Sequence, residues 1–144
     1  MKKLFLFLVT VLGISSYTVA ADAYTIGSPV ADFKLKSIDG KEVSMSDYPD
    51  AKGFIITFTC NHCPYAKAYE DRTIALNKKY AGKGYPVIAI NPNDAEQYPD
   101  DKYDNMKLRS NEKNFTFPYL VDATQEVAKQ FGAIKTPHIY VVQK

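Results

Sequence analysis

Three uncharged stretches constrain this chain most. Phe54-Ile55-Ile56-Thr57-Phe58, Tyr85-Pro86-Val87-Ile88-Ala89-Ile90 and His138-Ile139-Tyr140-Val141-Val142 contain no Asp, Glu, Lys or Arg. Short runs of β-branched and aromatic residues suit strands covered on both faces. The segments between them read as helices. From the first cysteine to about Tyr80, Tyr65, Tyr69, Leu76 and Tyr80 fall on one stripe, with Lys67, Arg72, Lys78 and Lys79 mostly off it, before Gly82 and Gly84 stop the pattern. The polar stretch 94–114 holds a surface helix around 101–113, residues 117–121 are extended, and 124–131 form a short helix ended by Gly132. Ahead of all this, residues 33–38 alternate, Asp39-Gly40 turns, and 41–43 return as a hairpin. The β-α-β-α-β order predicts a small α/β layer with parallel strands.

The N-terminus is set apart. Lys2 and Lys3 precede an apolar run over 4–14, followed by small residues up to Val19-Ala20-Ala21. Eleven apolar residues reach about 16 Å, roughly half of a hydrocarbon core. The layout predicts a cleaved secretory signal at 1–21, a working domain at 22–144, and a periplasmic or secreted location without membrane insertion. Lys+Arg total 18 and Asp+Glu 16 in the whole chain. Without Lys2 and Lys3 the two signs balance, which argues against a nucleic-acid partner.

Both cysteines of the chain sit in Cys60-Asn61-His62-Cys63, between a strand and a helix. Thiol–disulfide exchange needs a thiolate and a second thiol near enough to resolve the mixed disulfide. A helix starting at Cys60 would favour its thiolate, His62 would favour it further, and Cys63 would lie one turn in, followed by Pro64. Three other readings of the pair remain: a structural staple, inert core thiols, or a metal site in which Cys60, His62, Cys63 and His138 hold Cu(I) or Zn. Thr136-Pro137 precedes the third strand. A cis bond there would present the Thr136 backbone beside the sulfurs to an incoming chain.

Phe58-Thr59-Cys60-Asn61-His62-Cys63-Pro64-Tyr65, Ala89-Ile90-Asn91-Pro92-Asn93, Phe117-Pro118-Tyr119-Leu120-Val121-Asp122 and Thr136-Pro137-His138 resemble the thioredoxin-like redoxins of the alkyl hydroperoxide reductase and thiol-specific antioxidant superfamily. The resemblance spans about residues 26–142. It implies a thioredoxin-like α/β fold, with Cys60 attacking, Cys63 resolving and Pro137 as the cis-proline. It also implies an antiparallel edge strand and a covering helix after the cis-proline strand, for which this sequence has no counterpart beyond Gln143 and Lys144, so a truncated fold is expected. The pattern departs from the family at three positions. Thr59 replaces thioredoxin's tryptophan, Phe54 occupies its buried-acid position, and Gly53 stands where peroxiredoxins carry proline.

The expected function is an exported thiol–disulfide oxidoreductase with no cofactor beyond its cysteine pair. Cys60, Cys63 and His62 form its centre, and Thr136 and Pro137 its substrate-binding edge. Its partners would be protein thiols or disulfides, or a membrane redox protein. The alternatives are a copper-binding or copper-delivering module using Cys60, Cys63 and His138, and a thiol-dependent peroxidase with Cys60 as the peroxidatic thiol.

Overall fold

The computed structural model describes residues 23–144; the export signal expected at 1–21 lies outside the described residues. Six strands make one sheet: β1 (Lys34–Ser37), β2 (Glu42–Ser44), β3 (Gly53–Phe58), β4 (Val87–Asn91), β5 (Tyr119–Val121) and β6 (His138–Gln143). Three helices accompany it: α1 (Pro64–Tyr80), α2 (Tyr103–Lys113) and α3 (Glu126–Phe131). Across the sheet the strands run β2-β1-β5-β4-β3-β6. The hairpin forms as its turn residues predict, with Gly40 at φ 87°.

Strands β3, β4 and β5 are parallel. The expectation of a wholly parallel layer fails at β6, which runs antiparallel to β3 and sets His138 opposite Phe58 and Gln143 opposite Gly53. The connection over residues 122–137 leaves the chain at the end of the sheet where β3 finishes, so β6 starts opposite Phe58 and runs back along β3. Standing at the sheet edge, β6 alternates half-buried and exposed residues, with Ile139 and Val141 exposed.

Alternation along the central strands divides the core. Phe54, Ile56, Phe58, Ile88, Ile90 and Leu120 pack with Val127 and Phe131 of α3 on one face. Ile55, Val87, Ala89 and Tyr119 pack with Met106 of α2 on the other. Gly53 is required by close approach: a Cβ there would lie 2.2 Å from the Val142 carbonyl oxygen and 2.7 Å from the Tyr85 ring.

Helix α1 buries only the second half of the stripe its sequence suggests. Leu76 and Tyr80 pack, partly buried, on the Met106 side of the core, whereas Tyr65 and Tyr69 are exposed and the fully buried positions are Ala66, Glu70, Thr73 and Asn77. Small and polar residues serve there because each larger polar group has a partner. Glu70 accepts two hydrogen bonds from Arg109 of α2, at 2.8 and 2.6 Å. Asn77 accepts from the Val87 N–H at 3.0 Å and donates to Thr116 at 3.0 Å. Two side chains thus tie α1 to α2, to β4 and to the loop before β5.

Candidate active site

The site lies where β3 ends. Residues 59–63 form an irregular loop after β3, and α1 begins at Pro64 with Cys63 as its N-cap. The helix therefore starts four residues later than a start at Cys60 would require. Pro64 sits at the first helical position, where a missing N–H and a fixed φ cost nothing. The first free amides of the helix then belong to Tyr65 and Ala66.

The delayed start reverses the expected electrostatics of the two thiols. Cys60 is buried, 2% exposed, and burial pushes its pKa up. Hydrogen bonds from Thr136 and the Cys63 backbone oppose this incompletely, and the Asp101 charge adds to the rise. Cys63 is half-buried. Its burial also disfavours ionisation, but the Ala66 and Tyr65 N–H groups, with the Thr136 and Cys60 side chains, outweigh it and lower the pKa. These directions run against the expectation that the helix and His62 favour the Cys60 thiolate.

Both cysteines are free thiols meeting at one residue. The Cys60 Sγ lies 3.1 Å from Thr136 Oγ1, and the Cys63 thiol donates to the Thr136 carbonyl at 3.5 Å. The Thr136-Pro137 bond is cis, as anticipated. Beside them a cleft of about 300 Å³ is lined by His62, Pro92, Asn93, Tyr98, Lys135 and Thr136, among others.

Beneath the motif is a residue that sequence reasoning missed. The Asp101 side chain is fully buried. Its Oδ1 accepts from the Asn61 backbone N–H and from Asn91 Nδ2, the latter at 2.9 Å. Its Oδ2 accepts from Asn93 Nδ2 at 2.9 Å and pairs with His62 Nδ1 at 2.6 Å. Burial opposes the charge, yet these bonds outweigh it and hold the carboxyl below its ordinary pKa. An ionised carboxylate only accepts, so His62 Nδ1 carries the proton of that bond. Tyr98 stacks on the imidazole, ring centroids 4.2 Å apart. Tyr119 donates to Asn61 Oδ1 at 3.1 Å, and burial raises its pKa well above the usual phenol value.

The predicted copper set is not brought together. His138 faces Tyr140, Nδ1 to hydroxyl 2.9 Å. Among the described residues, the grouping of possible metal ligands is Cys60, His62 and Asp101, within 4.8 Å of one another. All its carboxylate oxygens are already engaged, so an ion there would displace hydrogen bonds that hold the motif loop.

Several known proteins share this architecture. An uncharacterized conserved protein from Geobacillus kaustophilus superposes with a TM-score of 0.76 at 42% identity, over 80% of this chain and 61% of its own. This chain thus spans less than two thirds of that protein. The pneumococcal exposed lipoprotein thioredoxin matches with a TM-score of 0.63 at 23% identity, over 79% of this chain and 87% of its own, a likeness of fold. In sequence, the thiol-disulfide oxidoreductase ResA of Geobacillus thermodenitrificans is 24% identical over 146 residues, covering 95% of this chain and 78% of its own length. The fold is thioredoxin-like. The model of the AhpC/TSA family matches residues 26–144, a span that takes in all six strands and all three helices. On that match the chain belongs to the AhpC/TSA family.

Proposed function

We propose that this protein is a thiol–disulfide oxidoreductase that exchanges disulfides with protein thiols through Cys60 and Cys63, outside the cytoplasm. The observation that carries the reading is the convergence of both sulfurs on Thr136, at 3.1 and 3.5 Å, beside an open cleft. One sulfur of a substrate can be held in a mixed disulfide while the other thiol is in place to displace it. The 24% identity to ResA proteins supports the same chemistry. The signal-like residues 1–21 support the location, where disulfides persist. His62 borders the cleft and is fixed by Asp101 and Tyr98. Thr136 and Pro137 form the edge against which an extended substrate would lie. The partners would be protein disulfides or dithiols, with a membrane redox protein restoring the starting state.

The test is a redox titration against glutathione, read by mass spectrometry of the residue 22–144 chain. The expected result is one two-electron transition between the dithiol and a Cys60–Cys63 disulfide, with insulin-reduction activity lost in Cys60→Ala and Cys63→Ala. Absence of that internal disulfide at every glutathione ratio overturns the reading. So does rapid thiol-dependent peroxide turnover without exchange.

A further inference from the structure

Resting on that exchange reading, we propose that the cleft beside the two sulfurs selects protein substrates by charge. It takes segments with an acidic side chain next to the reacting cysteine, and Lys129 and Lys135 make the selection.

The cleft has two unlike walls. On one side His62 and Tyr98 are stacked together, with Asp101 holding the imidazole. On the other runs the chain from the last turn of α3 to the cis bond, which brings Lys129 and Lys135 to the same opening. Gln125, the N-cap of α3, joins the walls by donating to the Pro92 carbonyl at 3.0 Å. Lys135 immediately precedes Thr136, the residue on which both sulfurs converge. A segment held through its cysteine at that point passes close to Lys135. Successive residues of an extended chain lie about 3.5 Å apart, so the neighbours of its cysteine come within reach of the two long side chains.

Nothing cancels the charge of this wall. Lys129 and Lys135 are exposed, and among the described residues neither forms an ion pair. No Asp or Glu lines the cleft. The loop after β4 contributes Pro92, Asn93 and Tyr98 to the lining, whereas its acids Asp94, Glu96 and Asp100 lie off it. Asp101, beneath the motif, is already engaged by four donors. His62 brings a neutral or positive ring. A carboxylate entering the space of about 300 Å³ is therefore attracted by both lysines, and an ammonium is repelled by the same two groups. The sulfurs themselves make no such distinction, since they exchange with any disulfide that reaches them.

The test uses end-blocked peptides Gly-X-Cys-X-Gly, joined as disulfide homodimers, with X as Glu, Gln or Lys. The reduced protein is mixed with each, and release of peptide thiol is followed by chromatography. Every rate is divided by that of the same peptide with dithiothreitol, which removes the intrinsic reactivity of the disulfide. At low ionic strength the Glu peptide should react about fivefold faster than the Gln peptide, and the Lys peptide about fivefold slower, as two exposed ion pairs would give. Raising the salt to about 0.5 M should compress the series to within about twofold. The paired change Lys129→Glu and Lys135→Glu should reverse the order, and Lys129→Gln with Lys135→Gln should level it. Equal normalised rates in the unaltered protein overturn the proposal and leave the exchange reading standing, as does an order that survives charge reversal. A higher normalised rate with oxidised glutathione than with the Glu peptide also overturns it, because the carboxylate preference then belongs to a small thiol. Release from none of the peptides overturns the exchange reading and the proposal with it.

Discussion

At the scale of single residues, Asp101 gathers four hydrogen-bond partners beneath the motif and is the side chain that the sequence marks least. Five acids lie between positions 94 and 104, namely Asp94, Glu96, Asp100, Asp101 and Asp104, and nothing in their spacing singles one out. Only the fold brings Asn61, His62, Asn91 and Asn93 onto the same carboxylate. Replacing it by alanine strands four donors, and Asp101→Ala should lose about 3 kcal/mol or more in urea denaturation. The sign with pH follows from its depressed pKa. The stabilisation is complete above the unfolded carboxylate pKa of roughly 4 and is lost as pH falls through the lower folded value. Stability measured against pH in the native protein should therefore show an acid limb that Asp101→Ala flattens; an unchanged limb would assign the dependence to other carboxylates. By contrast, both cysteines, His62, Thr136 and Pro137 were legible from the sequence, because their chemistry depends on residue type and spacing. What the spacing could not reveal was where α1 begins, at Pro64 with Cys63 as its N-cap.

At the scale of elements, the sequence reads well where burial is uniform and poorly where polar groups are buried in pairs. The uncharged runs became β3 and β4, buried throughout. The same reasoning misplaced part of the buried face of α1, because Glu70 and Asn77 are covered only on account of Arg109, Thr116 and the Val87 amide, which lie far away in sequence. The surface helix expected around 101–113 forms as α2, with only Met106 and Ser110 buried, whereas Asp101 belongs to the turn before it and is buried. One buried polar atom of β3 remains without a partner, Thr57 Oγ1. Thr57→Val replaces that hydroxyl by a methyl of similar size and should stabilise the fold by about 1 kcal/mol, read as a higher urea midpoint with an unchanged slope. A lower midpoint would mean that the hydroxyl has a use in solution that this packing does not reveal.

At the scale of the whole molecule, the layered α/β class and the order of elements were legible throughout residues 33–143, whereas the direction of β6 was not. Direction depends on which end of the sheet the connection over residues 122–137 reaches, and periodicity does not report that. The β3–β6 pairing has a cost at one position, since the Val142 carbonyl lies against Gly53. Gly53→Ala should destabilise by about 1–3 kcal/mol, the usual range for overpacking a closed site, and a neutral result in denaturant would show that the end of β6 shifts freely. The same contact bears on descent within the family. Gly53 occupies the place where peroxiredoxins carry a proline, and a ring there would occupy the space of the neighbouring strand's carbonyl. Gly53→Pro could therefore not be the first step away from this packing, because the end of β6 would have to move off before a ring could enter.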